Sequence, residues 1–239
     1  MLSTDSQTSR HSQLKQTYDR DGYVIVRGLY TADQMAQWKQ ALRAALEAEH
    51  FNHPSGVRVW AGQTLPEPVM AAMSDDRVAP ILEQLVGPNI EYLSAKVVFK
   101  DGKTSFGSPW HQDWFYWEGA PKMSVWIALD DATEANGCLT VIPGTHTRVF
   151  PRQRVAGDSF VNRIADADLA GLPIVTAQAQ RGDAIFFHDL LIHGSHPNRA
   201  GGDRWSLIST YRDGSVKDTS TDWKTSLLVR GSSVNGAEA

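Results

Sequence analysis

A chain of 239 residues, 41% hydrophobic and 21% charged, has the length of one moderate domain and the composition of a globular protein able to bury a core. Its formal net charge of −4 comes without a basic run, which argues against a nucleic-acid partner, since binding a phosphate backbone needs clustered Lys and Arg. No stretch approaches the roughly 20 apolar residues of a membrane span, the polar N-terminus lacks the apolar core of a secretory signal, and one cysteine, Cys138, excludes an internal disulfide, so a cytoplasmic protein is expected.

Residues 1–13 are rich in Ser, Thr and Gln and read as a loose N-terminus, followed by a short helix over 14–18 and a turn at Asp21-Gly22. Tyr23-Val24-Ile25-Val26-Arg27 is β-prone and predicts a strand. Thr31-Ala32-Asp33-Gln34 has the form of a capping box, and Met35, Trp38, Leu42 and Leu46 recur at helical spacing. That helix should run to about residue 49 with its apolar stripe lying on a sheet. A second helix, over 76–86, carries Val78, Ile81, Leu82 and Leu85 and stops at Gly87-Pro88.

From residue 90 the character changes to short, turn-punctuated, β-prone segments: 90–100, 123–129, 138–142, 173–177, 184–187, 190–193 and 205–211. Many short strands with Gly, Pro and Asn turns predict a barrel or double sheet, with helices leading in. The polar stretch 148–171 reads as a long surface loop or a lid. Beyond Gly214 lies a tail with one apolar patch, Leu227-Leu228-Val229. The organisation expected is thus a loose segment 1–13, a single domain 14–214 and a tail 215–239, with no internal repeat and nothing that sets an oligomeric state.

The chemistry centres on His111-Gln112-Asp113. Side chains on a strand alternate between faces, so His111 and Asp113 share one face while Gln112 points away. One imidazole and one carboxylate then reach the same ion, and a second imidazole from another strand completes a set that holds Fe(II) and leaves positions open. His188, His193 and His196 compete for that third place, and an isolated His-x-Asp is a weak signal. Around the motif crowd Phe106, Trp110, Trp114, Phe115, Tyr116 and Trp117, which could wall a substrate site or simply fill the core.

The motif does not stand alone. Pro109-Trp110-His111-Gln112-Asp113-Trp114, Trp126-Ile127-Ala128-Leu129-Asp130, Asn136-Gly137-Cys138-Leu139, Pro143-Gly144-Thr145-His146, Gly182-Asp183-Ala184-Ile185-Phe186-Phe187 and His193-Gly194-Ser195 through Asn198 to Arg204 follow one another in order. With this series the chain resembles the phytanoyl-CoA dioxygenase family of iron- and 2-oxoglutarate-dependent oxygenases, from Asp21 to about Arg212. The resemblance implies a mainly β protein with a double-stranded β-helix, the jelly-roll or cupin-like barrel, and N-terminal helices packed outside it. It also implies that His111, Asp113 and His193 bind iron and form the catalytic centre. His193 is preferred to His188 and His196 because only it has the His-Gly-Ser context, with Arg204 eleven residues later.

The same resemblance implies 2-oxoglutarate as co-substrate and O2 as oxidant. The guanidinium fork of Arg204 suits the far carboxylate of the diacid, and Ser195 is expected to bond the same group. Alternation places Ser124, Trp126 and Ala128 on one face of a strand, and Trp126 fits the position that lines the co-substrate cavity. His146 matches a position near the co-substrate, and Lys96 one that lines the cavity. Lys96 and Lys100 share a strand face, where lysines are ordinarily solvated. Trp114 and Tyr116 are candidates for substrate contact, since aromatic faces can receive apolar or cationic groups. Arg58, Trp60 and Arg163 fall in loop-like segments that could close over the site. The carboxylate of Asp113 argues for hydroxylation, because related halogenases lack it.

The activity expected is therefore hydroxylation of an unactivated C–H bond of a small molecule, releasing succinate and CO2. Two alternatives remain: a non-catalytic barrel used for binding, and an isomerase or hydrolase that uses another divalent ion on a cupin-like barrel.

Overall fold

The computed structural model describes residues 4–51, 56–62, 64–154, 162–220, 222 and 226–236, with side chains from residue 13 onward. Helix α1 (Thr4–Asp21), strand β1 (Tyr23–Val26), α2 (Ala32–Ala48), β2 (Val57–Ala61), α3 (Val69–Ala72) and α4 (Ala79–Leu85) lead in. Strands β3 (Ile90–Lys100), β4 (Ser108–His111), β5 (Lys122–Ala128), β6 (Leu139–Ile142), β7 (Gln153–Arg154) and β8 (Asn162–Arg163) follow. The chain continues through β9 (Val175–Ala177), β10 (Ala184–His188), β11 (Ile192–Ser195), β12 (Arg204–Asp213) and β13 (Leu227–Arg230).

A large antiparallel sheet runs β1-β10-β5-β12-β3, with β13 and β2 both paired to the outer side of β3. A smaller one runs β4-β11-β6-β9. Side-chain alternation divides the apolar residues of the large sheet between two cores. Val125, Ile127 and Leu207 pack outward against Met35, Trp38 and Leu42 of α2. Trp126, Ala128, Ile185, Phe187 and Ile208 point the other way and meet Leu139, Val141 and Ala177 of the small sheet. The result is the double-stranded β-helix with helices outside. Among the described residues no helix is long and apolar enough to cross a membrane.

The capping box forms as its sequence dictates: the Thr31 hydroxyl accepts from the Gln34 amide, and the Gln34 side chain accepts from the Thr31 amide. Met35, Trp38, Leu42 and Leu46 are all buried.

Several expectations are corrected. The segment 1–13 is helical from Thr4, as part of α1. Helix α4 begins at Ala79, because Asp75 Oδ1 accepts from the amides of Arg77 and Val78 and holds that stretch as a turn. Arg58 and Trp60 are not loop residues over the site. They lie on β2, and both bond the Glu49 carboxylate just after α2, at 2.6 and 3.1 Å. Arg163 lies on β8, paired with Gln153. Of the stretch 148–171 read as a surface loop or lid, residues 155–161 lie outside the described residues. Past Gly214 the chain is more than a tail, since β13 adds to the large sheet beside Ile90–Tyr92.

Candidate metal centre

His111 ends β4 and His193 sits on β11, and the two are direct cross-strand partners. Their ring centroids are 4.2 Å apart. Each ring has its Nδ1 on a backbone carbonyl two residues earlier, Pro109 at 2.8 Å and Leu191 at 3.0 Å. A carbonyl can only accept, so Nδ1 carries the proton and the Nε2 lone pair of each ring is left to bind.

Asp113 reaches the same point by a route the strand reading missed. Strand β4 stops at His111, and Asp113 opens a 3-10 turn over Asp113–Tyr116. Gln112 keeps extended angles, φ −111° and ψ 129°, so the alternation of faces survives for one more residue. The buried Gln112 side chain holds this corner: it donates to the carbonyls of Arg148 and Leu190 and accepts from the Phe150 amide.

Asp113 Oδ1 lies 3.4 Å from His111 Nε2 and 3.8 Å from His193 Nε2. One ligand atom from each of the three residues lies within 4.8 Å of the others, and all three residues are buried. Both oxygens of Asp113 are buried without a hydrogen-bond donor. Lys96 Nζ is 3.6 Å away, beyond hydrogen-bonding reach. Burial opposes ionisation of Asp113, but Lys96 and His193 outweigh it and hold the carboxyl well below its usual range. Burial, helped by His111, pushes His193 down to about 3, so its imidazole is neutral at physiological pH. A charged, unsatisfied carboxylate between two lone pairs suits a divalent cation, and two nitrogens with one oxygen suit iron.

Beside these ligands is a cavity of about 80 Å³, several times what one water needs. Lys96, Trp126, Ser195 and Arg204 line it together with His111 and His193. Arg204 is 2% exposed, and among the described residues its side chain makes one hydrogen bond, from a terminal nitrogen to Ser206 Oγ at 3.0 Å. Its Nε has no acceptor, and among the described residues no carboxylate pairs with it. The guanidinium carbon lies 5.8 Å from the Trp126 ring centroid. Burial pushes Arg204 down to about 10, which leaves it charged and in want of an anion.

Two expectations do not hold. His146 is not a cavity wall: its ring abuts Gly22 and lies 5.7 Å from that of His188. The preceding residue, Thr145, turns its hydroxyl inward to Ile142 and Ile192, which sends His146 the other way. Lys100 is not solvated but fully buried. Of the two substrate candidates, Tyr116 stands edge-on to His111 at 6.1 Å and is 37% exposed. Trp114 instead packs on Phe115 and directs its Nε1 to the Gly119 carbonyl at 3.4 Å. The rival histidines stay away from the centre, with His188 accepting from the Leu190 amide and His196 exposed. Ser108, Phe187 and Ile208 also line the cavity and were not singled out. The inward phase of Trp126 fixes that of Phe187 and Ile208, but a serine at a strand start carries no such signal.

The geometry is matched by comparison with known proteins. A family model described as Phytanoyl-CoA dioxygenase (PhyH) matches residues 18–206. The chain belongs to the phytanoyl-CoA dioxygenase family. The peroxisomal phytanoyl-CoA dioxygenase of Rattus norvegicus is 26% identical, over 86% of this chain and 70% of its own length. An ectoine dioxygenase of Stutzerimonas stutzeri (strain A1501) is 24% identical, over 84% of this chain and 76% of its own. Among solved structures, the non-heme monooxygenase ThoJ superposes with a TM-score of 0.77 at 21% identity, covering 95% of this chain and 87% of that one. The epimerase SnoN, in complex with Fe3+, alpha ketoglutarate and nogalamycin RO, superposes with a TM-score of 0.73 at 24% identity, covering 88% and 86%. These likenesses agree with the jelly-roll fold. As a phytanoyl-CoA dioxygenase family member, the protein is a non-haem iron dioxygenase that depends on 2-oxoglutarate and O2.

Proposed function

We propose that this dioxygenase hydroxylates an unactivated C–H bond of a small molecule, releasing succinate and CO2. In this reading His111, Asp113 and His193 hold Fe(II), while Arg204 and Ser195 hold the far carboxylate of 2-oxoglutarate. The observation that carries it is a pair of buried charged groups short of hydrogen-bond partners: the Asp113 carboxylate, with no donor, beside the two cavity histidines, and the Arg204 guanidinium in the cavity wall, with no acid among the described residues. The first calls for a cation and the second for an anion, and a metal-chelating diacid satisfies both.

When bound, iron with 2-oxoglutarate and O2 supplies the oxidising power. The protein's residues bind, orient and shield. The carbonyls of Pro109 and Leu191 lock both imidazoles in the tautomer that presents Nε2. Asp113 brings a negative charge, so a divalent ion is partly neutralised in a site that excludes water. Trp126, Phe187 and Ile208 give the cavity apolar walls, and apart from the two histidines and Lys96 its polar groups are Arg204 and the serines, which set the diacid's direction. Tyr116, partly exposed and edge-on to His111, is the candidate for substrate contact in this reading.

The test is a screen of small-molecule classes for stimulated succinate release by Fe(II)-loaded protein, with products examined by mass spectrometry. A product that gains one oxygen atom supports the reading. A product of unchanged oxygen content, such as an epimer or a ring closure, would replace hydroxylation with another outcome of the same enzyme class.

A further inference from the structure

Lys100 ends β3 opposite Arg204 in the sheet register, so a buried lysine lies beside the buried arginine that lines the cavity. Among the described residues no carboxylate pairs with either one. Lys100 Nζ lies 2.7 Å from Ser195 Oγ, 2.5 Å from the His196 carbonyl and 3.4 Å from the Gly137 carbonyl. Gly137 makes this nest possible. Its φ of +79° is left-handed, and a Cβ there would meet Nζ at 3.1 Å and collide with the His196 carbonyl.

Two of the three partners are carbonyls, which can only accept. An ammonium has three N–H groups and serves all three, so the Ser195 oxygen accepts and its own O–H is free to point elsewhere. A neutral amine has two N–H groups, enough for the carbonyls, and its lone pair then takes the Ser195 proton. The charge on Lys100 thus decides which way the Ser195 hydroxyl points. Ser195 is the cross-strand partner of Ser108, with the two oxygens 3.1 Å apart, and both residues line the cavity with Arg204.

From this geometry we propose that Lys100 is a positioning residue for the co-substrate. When charged, it turns the Ser195–Ser108 hydroxyl pair into a donor toward the carboxylate held by Arg204, and binding of that carboxylate draws a proton from solution onto Lys100. The inference rests on the 2-oxoglutarate reading above.

Other groups around the amine agree with this linkage. Burial and the Arg204 charge push Lys100 down to about 6, against a weaker opposing pull from Cys138. The Cys138 thiol is itself pushed up to about 11 by burial and stays neutral. Phe106 offers its ring face at 5.0 Å, and the His196 side chain is exposed. Lys96, two positions over on the same face, is directed to Asp113 instead. Above neutral pH the free site therefore holds mainly the amine, and an incoming carboxylate favours the ammonium.

The experiment is calorimetric titration of 2-oxoglutarate into Ni(II)-loaded protein between pH 6.0 and 8.5, in buffers of different ionisation enthalpy. At pH 7.5 the wild type should take up close to one proton per 2-oxoglutarate bound. Its dissociation constant should rise about tenfold per pH unit above about 6.5, the limit for one linked proton. Lys100→Met should show no uptake, a flat pH profile and about tenfold weaker binding at pH 6.0, where the wild-type lysine is half charged. The wild-type proton count decides the matter even if Lys100→Met does not fold. Wild-type binding with no proton uptake overturns the proposal and leaves Lys100 a merely structural tie. Absence of wild-type binding at every pH removes the co-substrate reading, and this inference with it.

Discussion

Arg204 is almost wholly removed from solvent while its Nε has no acceptor, so the free protein carries a charge that nothing in the described fold repays. Truncating it therefore differs from breaking a salt bridge, because no stranded partner is left behind. Arg204→Ala should raise the 2-oxoglutarate requirement about 10–100-fold, the worth of hydrogen bonds to a charged group, without lowering the thermal midpoint of the metal-free protein. Titration of succinate release against 2-oxoglutarate checks the first part and a melting curve the second; unchanged co-substrate demand would remove Arg204 from the site. His193 gives a pH signature. Its folded value near 3 lies below the ordinary 6.5, so below 6.5 the unfolded chain binds a proton that the folded one refuses. The stability contributed by His193 is complete above about 6.5 and is lost as pH falls toward 3. Urea unfolding of the metal-free protein should show the midpoint falling between pH 6.5 and 5, with a shallower fall in His193→Gln. These residues were legible in the sequence because their chemistry is written in spacing: His-x-Asp, then His-Gly-Ser and an arginine eleven residues on. Lys100 was not, since nothing in a strand's alternation says whether a lysine's face meets water or a nest of carbonyls.

The strands and helices that carry the site were readable to different degrees, and the difference has a physical origin. Helix α2 was legible residue by residue, because its cap and its apolar stripe are both local signals. Strand β2 was not, since Arg58 interrupts its apolar pattern and its place in the sheet depends on pairing with β3, which is distant in the chain. The corner at Asp113 shows the same limit. Alternation correctly put His111 and Asp113 on one face, but the turn that begins at Asp113 is set by tertiary bonds from Gln112. Gln112 ties β4 to the segments at residues 148–150 and 190, so it fixes where Asp113 sits relative to β11. Gln112→Ala leaves two carbonyls and one amide unpaired in a buried corner, which should cost about 2–4 kcal/mol in urea unfolding. It should also weaken metal affinity in a Co(II) titration, although Gln112 touches no ligand atom position. Wild-type affinity in a clearly destabilised variant would mean that the corner keeps its geometry without the clip.

The large sheet is tied to a part of the chain that its sequence presents as a tail with one apolar patch. Asp218 has a buried side chain and accepts from Lys122 Nζ at 2.9 Å, from Arg212 at 2.8 Å and from the Ala120 amide at 3.0 Å. Arg212 in turn bonds Glu91 at 2.5 Å, and all four charged side chains are at most 4% exposed. The network joins β3, β5 and β12 of the large sheet to the segment after Gly214, and β13 then pairs with β3. Its logic is charge balance across distant stretches, two cations against two anions, which no local window can display. Balance also makes each member costly to lose, because removing one acid strands buried cations. Asp218→Ala should therefore destabilise the protein by about 3–5 kcal/mol, far more than a surface substitution. The metal centre lies on the other sheet and depends on none of these residues, so the rise in melting temperature on adding Ni(II) should persist in the variant. Paired melting curves with and without metal read both quantities at once. A wild-type melting temperature in Asp218→Ala would show that the C-terminal segment only decorates the sheet, and loss of the metal-induced rise would show instead that this network and the metal centre are coupled.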